Sequence, residues 1–305
     1  MAIEIIEKRI PSSDGEHELA GKVYLPEGQP KGLFHVVHGM TEHIGRYDEI
    51  LRAMAADGFV AFGFDHLGHG HTVRDQSELG FIAVKDGWRR LVDDVAVAGK
   101  AMKETYGADL PYVLMGHSMG SFVVRLAAKQ YDLQDKLIVM GTGGPNAMSG
   151  PGLALANLIK ALRGPKHVSI LVEALAFGRY NSHFDKDDWR NWLSTDPAER
   201  KKGGEDPLCN FHFTVSAMSD LVRLQRESNK RRWFNGINKQ KPVLLLSGSD
   251  DPVGSYSKGV RIVNARLKAA GVPVQMKLYK GFRHEILNDF CRGEVIADIR
   301  RFVEE

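Results

Sequence analysis

The sequence predicts an α/β protein: a mostly parallel, doubly wound sheet, preceded by an antiparallel hairpin and interrupted by a helical insertion. Three observations carry this expectation. Short, mostly apolar runs recur at residues 33–38, 59–64, 112–115, 137–140 and 243–247, each bounded by Gly, Asp or Pro. Strands covered on both faces read this way, because neither face has to be polar. Segments with helical apolar spacing alternate with those runs, as crossover helices between parallel strands do. Between about 145 and 214 the alternation stops and no convincing strand is visible.

The elements follow in order. Residues 3–10 and 18–25 alternate apolar and polar around Pro11-Ser12-Ser13-Asp14-Gly15, which reads as a hairpin. Tyr47, Ile50, Leu51 and Met54 form a helical stripe, with Gly58 placed to end it. Trp88, Leu91, Val92, Val95 and Met102 extend the same pattern over a longer helix, and Val123, Leu126 and Ala127 repeat it. Later stripes are Val260, Val263 and Leu267, then Val295, Ile296, Ile299 and Phe302. The insertion opens after Gly141-Thr142-Gly143-Gly144-Pro145. It holds Leu155, Leu158, Ile159 and Leu162 at helical spacing, then a second apolar segment from Val168 to Phe177. The expected division is a core of residues 1–144 and 215–305 with a helical cap at 145–214.

Composition excludes several function classes. The 305 residues carry 41 Lys and Arg against 38 acidic residues, a net charge of +3. The densest basic runs, Lys230-Arg231-Arg232 and Arg200-Lys201-Lys202, have acids nearby, so no nucleic-acid partner is expected. Cys209 and Cys291 make no disulfide framework. Acidic residues interrupt the apolar stretch at Met1–Arg9, unlike a signal peptide, and no uncharged run is long enough to span a bilayer. A soluble, cytoplasmic protein is the expectation.

Chemistry concentrates at Gly116-His117-Ser118-Met119-Gly120, a G-x-S-x-G between an apolar run and a helical stripe. That strand-turn-helix context is what a nucleophile elbow requires. A serine hydroxyl is a weak nucleophile and needs a base, oriented in turn by a third group. In such proteins the partners follow in the order Ser, acid, His. His284, after the run ending at Tyr279, is the one histidine beyond His212. The acid lies at Asp250 or Asp251, just past the 243–247 run. Asp251 is favoured because Pro252 biases it to extended backbone. Oxyanion donors are expected from the backbone N–H of Met119 and of Met40, in the strand exit His38-Gly39-Met40. Histidines 35, 38, 43, 66, 69 and 71 crowd the amino-terminal half. They lack the acidic member and the H-x-x-x-H spacing of hydrolytic zinc sites, so they read as loop-ordering groups and no metal is expected.

Taken together, these motifs resemble the monoacylglycerol lipase and lysophospholipase branch of the α/β-hydrolases, the serine-aminopeptidase-like group. The resemblance rests on His38-Gly39-Met40-Thr41-Glu42-His43 with Arg46-Tyr47, on Phe64-Asp65-His66-Leu67-Gly68-His69-Gly70, on the elbow, and on the Asp251-Pro252-Val253 and Gly281-Phe282-Arg283-His284 loops. It implies a Ser118–Asp251–His284 triad, Met40 and Met119 as oxyanion donors, a helical cap over the site, and no cofactor. Ser121 departs from the second glycine these enzymes commonly carry after the elbow. The expected activity is cleavage of a small-molecule acyl ester of a monoacyl lipid. Leu155, Leu158, Ile159 and Leu162 are expected to line an acyl tunnel, and the cap to touch a membrane surface transiently. Open alternatives are an aminopeptidase or amidase, a small-ester or thioester hydrolase, and a non-catalytic ligand receptor on the same scaffold. Oligomeric state is not legible.

Overall fold

The structure, a computed structural model, describes residues 3–305. Met1 and Ala2, which begin the stretch read as unlike a signal peptide, lie outside the described residues.

Strands β1 (Glu4–Pro11) and β2 (Glu18–Leu25) pair antiparallel over their full length, as the hairpin pattern predicts. There follow β3 (Gly32–Val37), α1 (Asp48–Ala56), β4 (Phe59–Phe64), α2 (Gly87–Tyr106), β5 (Tyr112–His117), α3 (Met119–Tyr131) and β6 (Lys136–Met140). Three helices then intervene, α4 (Ser149–Arg163), α5 (Ile170–Phe177) and α6 (Pro197–Glu205), with turns through 178–196. The chain returns through α7 (Val215–Ser228) and α8 (Arg231–Gly236) to β7 (Val243–Gly248), α9 (Lys258–Ala269), β8 (Val274–Tyr279) and α10 (Arg292–Glu304).

One eight-stranded sheet runs in the order β1-β2-β4-β3-β5-β6-β7-β8. The β1–β2 and β2–β4 pairings are antiparallel and the remainder parallel. Alternate residues of each central strand enter opposite cores. Phe34, Val36, Val113, Met115, Ile138 and Leu244 pack with the apolar residues of α1 and α10. On the other face, Leu33, Val37, Phe62, Leu114, Val139 and Leu245 pack with those of α2, α3 and α9. Each such side chain contributes roughly 1.5–3 kcal/mol of burial free energy, so the centre of the sheet is a rigid platform for loops at its carboxyl edge.

The insertion is helical, and among the described residues no strand falls between β6 and β7; a single bridge pairs Val168 with Thr214. α7 escaped the apolar-period reading because its buried residues include Ser216, Ser219, Asp220 and Ser228, which break the apolar stripe. In α4 the fully buried residue is Ala156, where the small side chain permits close packing. Leu158 and Leu162, expected to face inward, are 57% and 73% exposed. Among the described residues no helix is long and apolar enough to cross a membrane.

Candidate active site

Ser118 sits between β5 and α3 with φ 53° and ψ −118°, a left-sided φ that L-residues rarely adopt. The surrounding glycines make this turn possible. A Cβ at Gly120 would overlap the carbonyl oxygens of Val37 and His38, and one at Gly116 would overlap the carbonyl of Gly120. Strand, turn and helix are thereby drawn together tightly enough to present Ser118 at the sheet edge, where it remains half-buried and reachable. The Ser118 N–H donates to the Met140 carbonyl at 3.0 Å, tying the elbow to β6. Ser121 turns its hydroxyl onto the Ser118 carbonyl at 2.5 Å, so this departure from glycine is absorbed within the elbow's own backbone.

The late acid and base converge on this serine. Ser118 Oγ lies 2.8 Å from His284 Nε2, and His284 Nδ1 lies 3.0 Å from Asp251 Oδ2. A carboxylate partner places the proton on Nδ1 and leaves Nε2 free to accept from the hydroxyl. Asp251 is fully buried, and its other oxygen accepts the Val253 N–H at 2.8 Å. Asp250 turns the other way, accepting from Ser249 Oγ at 2.7 Å. The structure therefore separates the two adjacent acids as the Pro252 argument expects.

Gly39, in the exit loop of β3, passes beside the nucleophile: a Cβ built on it would stand 3.0 Å from Ser118 Cβ. Met40 follows on this loop, and Met119 is the first residue of α3, where backbone N–H groups have no intrahelical acceptor. Both residues expected as oxyanion donors thus stand on segments that flank Ser118. The Met40 side chain itself packs against the core.

Behind the loop lies a buried polar network that the residue spacing did not reveal. Glu42 Oε1 accepts the Gly39 N–H at 2.5 Å and the Tyr47 hydroxyl at 2.8 Å. His117 Nδ1 approaches the same carboxylate at 3.2 Å, and Arg46 forms a bidentate pair with Glu285 at 2.8 Å for each bond. Burial opposes ionisation of Glu42, yet His117 and Arg46 hold its carboxyl well below the usual range. Burial likewise opposes a charge on His117, but Glu42 raises its pKa above the ordinary value. The signal was present in the G-x-S-x-G itself, whose first variable position is a histidine.

The other amino-terminal histidines behave differently. Burial pushes His66 and His35 down to about 3 and His69 to about 4, so each is neutral. His38 Nδ1 donates to the Gly39 carbonyl at 2.8 Å while its Nε2 accepts the His66 N–H at 3.0 Å, fixing the loop after β4 against the loop after β3. His43, Asp206 and Cys209 bring three potential metal-ligand atoms within 4.8 Å of one another. His43 Nδ1 accepts the Gly45 N–H, so its Nε2 carries the proton and donates to Asp206 at 2.9 Å. An ion there would have to displace that hydrogen and break the Gly45 bond.

In the insertion, Ile159 packs against the core, Leu155 is half-buried, and Leu158 and Leu162 face outward with Ile170, Leu171 and Leu175. The acids that would suit an amine ligand are mostly engaged. Glu173 pairs with His212 at 2.8 Å, Asp188 with Arg190 at 3.0 Å and Arg200 at 3.2 Å, and Asp187 accepts from Asn191 at 2.7 Å.

The eight-stranded sheet, with Ser118 on a strained turn and His284 and Asp251 on later loops, defines an α/β-hydrolase. Comparison with known proteins narrows the class. The profile of the family described as Serine aminopeptidase, S33 matches residues 28–290, and the chain belongs to that family. It is 29% identical over 297 residues to a monoglyceride lipase of Rattus norvegicus, covering 96% of this chain and 88% of the relative. It is 26% identical over 311 residues to a monoacylglycerol lipase of Mycolicibacterium smegmatis, covering 96% and 98%. A solved carboxyl esterase from Bacillus coagulans, in complex with glycerol, is similar with TM-score 0.92 and 28% identity over 99% of both chains.

Proposed function

We propose that the chain hydrolyses carboxylic esters of monoacyl lipids, a monoacylglycerol or lysophospholipid, through an acyl-enzyme on Ser118. The chain is a carboxylic ester hydrolase. The observation that carries the site assignment is the continuous Ser118–His284–Asp251 hydrogen-bonded relay at 2.8 Å and 3.0 Å on a strained elbow. In the first step Ser118 Oγ attacks the ester carbonyl carbon while His284 Nε2 takes its proton. Asp251 holds the imidazole and stabilises its cationic form without itself being protonated. The Met40 and Met119 amides receive the oxyanion. On collapse, the C–O bond to the alcohol breaks and His284 returns the proton to the leaving oxygen. Water, deprotonated by the same nitrogen, then attacks the acyl-enzyme and releases the fatty acid.

Residues 1–144 and 215–305 serve as the catalytic core and 145–214 as its cap. Leu155 and Ile159 are the acyl-lining members of the predicted set. The exposed row of Leu158, Leu162, Ile170, Leu171 and Leu175 supports a transient contact with a membrane surface, in a stretch that also carries Lys160, Arg163 and Lys166. Two free cysteines fit a reducing, cytoplasmic compartment.

The test is kcat/KM over a panel of monoacylglycerols, lysophospholipids, short p-nitrophenyl esters and aminoacyl amides, with Ser118→Ala as control. Preference for a monoacyl ester and an inactive Ser118→Ala are the expected results. Preference for aminoacyl amides overturns the substrate reading, and an active Ser118→Ala overturns the site. For the membrane contact, recovery with floated liposomes is expected in the absence of detergent; no recovery removes it.

A further inference from the structure

Residues 191–194 lie along residues 283–285 in a fixed register. The Glu285 N–H donates to the Leu193 carbonyl at 2.7 Å. Arg283 Nη1 donates to the Asn191 carbonyl and, at 3.1 Å, to that of Ser194. Further on, Ser194 Oγ donates to the Asn288 carbonyl at 2.8 Å, and the Thr195 N–H to Asp289 Oδ2 at 2.7 Å. The two residues flanking His284 are thus bonded to residues on either side of Trp192.

That register brings the Trp192 indole against the imidazole. The ring centroids of Trp192 and His284 are 5.3 Å apart with 35° between planes. Trp192 is itself held from behind. Its backbone N–H donates to Asn181 Oδ1 at 3.1 Å, and Tyr180 packs edge-on against the ring at 5.0 Å, followed by Phe177 on Tyr180 at 5.5 Å. Trp192 is partly buried, while His284 beneath it is 2% exposed.

We infer that Trp192 is a positioning residue for His284, supplied by the insertion and not by the sheet. Its ring restricts rotation of the imidazole, shields the Nδ1–Asp251 bond from water and presents a π-face to the ring that becomes cationic when it takes the Ser118 proton. The inference rests on the reading of Ser118, His284 and Asp251 as a catalytic set, and adds that the set is complete only when the 191–194 strap is seated.

The experiment compares full-length Trp192→Leu and Trp192→Phe on a short p-nitrophenyl ester, alongside Ser118→Ala. Misplacing a catalytic group by a fraction of an ångström costs on the order of tenfold or more in rate. Trp192→Leu, which keeps apolar bulk without a ring, is expected to lower kcat about tenfold with KM changed by no more than about twofold. The downfield proton resonance of the His284 Nδ1–Asp251 bond broadens by exchange with water in the same variant. Trp192→Phe recovers most of the rate and the sharp resonance. If Trp192→Leu does not fold, Arg283→Gln replaces it, since it loosens the strap without touching the ring, and the same rate loss and broadening are expected. Unchanged kcat and resonance in the loosened variant, or equal impairment of Leu and Phe, overturns the inference. An active Ser118→Ala overturns the underlying catalytic reading, whereas an inactive Ser118→Ala beside an unaffected Trp192→Leu removes only the positioning role.

Discussion

His117 Nε2 lies 3.2 Å from the backbone carbonyl oxygen of His284, while its Nδ1 meets the Tyr47 hydroxyl at 2.8 Å and Glu42 at 3.2 Å. As an imidazolium it donates from both nitrogens, so a charge from the elbow braces the backbone of the proposed general base. Glu42 in turn fixes Gly39 and the loop that carries Met40. One buried ion pair therefore holds two parts of the site.

Replacing Glu42 with Gln is expected to destabilise the protein by about 3–5 kcal/mol, the range for breaking a buried pair by removing one partner. The pH dependence has a definite sign. The depressed carboxyl gives its full contribution above its ordinary 4.5 and loses it as pH falls through the folded value. The raised imidazole gives its full contribution below its ordinary 6.5 and loses it as pH rises through the folded value. The pair's contribution is therefore greatest between 4.5 and 6.5. Thermal unfolding followed from below 4.5 to above 6.5 should show a flatter profile for Glu42→Gln than for the parent, which loses the pair's contribution on both sides of that window; parallel profiles over the whole range refute the pairing.

The adjacent acids provide a sharper discrimination. Asp251→Asn presents an amide to His284 Nδ1 and is expected to lower kcat by about ten-thousandfold, the scale seen when a triad acid is neutralised. Asp250→Asn loses a bond to Ser249 alone and should stay within about threefold of the parent, as surface-loop changes do. Equal losses in the two variants, measured on one ester, would contradict the observed geometry.

Gly120→Ala tests the elbow. Its methyl group must displace the Val37 and His38 carbonyls, at an overpacking cost of about 1–3 kcal/mol. Those carbonyls lead into Gly39 and Met40, so kcat should fall further than stability alone accounts for. Denaturant unfolding and kcat measured together decide this, and a destabilised variant with unchanged kcat counts against it.

Arg125 carries a different prediction. The guanidinium is fully buried in α3, with its centre 4.5 Å from the Trp233 ring centroid. It donates to Thr142, Ser228 and Asn229, but to no carboxylate. Burial pulls its pKa down to about 9. Arg125→Leu leaves those acceptors unmet at about 1–3 kcal/mol each, and Arg125→Lys should recover little, because a single ammonium cannot span them. Midpoints of urea unfolding read both; a neutral Arg125→Leu would show that the acceptors find water.

Much of this was legible in the chain. The apolar runs became β3 to β7, because buried parallel strands need no polar face, and the order Ser118, Asp251, His284 located the relay. The choice of Asp251 followed from Pro252. What stayed hidden was tertiary. Trp192 meets His284 through a register set by backbone carbonyls, and a carbonyl carries no residue signature. Helical spacing at Leu155, Leu158, Ile159 and Leu162 predicted a helix correctly but could not say which neighbour each side would face. Ala156 proved to be the residue buried against the body of the protein. His117 was visible only as an unspecified position of a motif.

The bonds between 191–194 and 283–285 also set where this protein can be recombined with its relatives. A chimera that exchanges 145–177 alone cuts on the near side of the strap and leaves the histidine loop with its native partner. One that exchanges 145–214 imports a foreign strap onto a resident loop, and must bring the matching 283–289 segment with it. The segment that looks from the sequence like a removable module is, in its second half, bonded to the loop that carries His284.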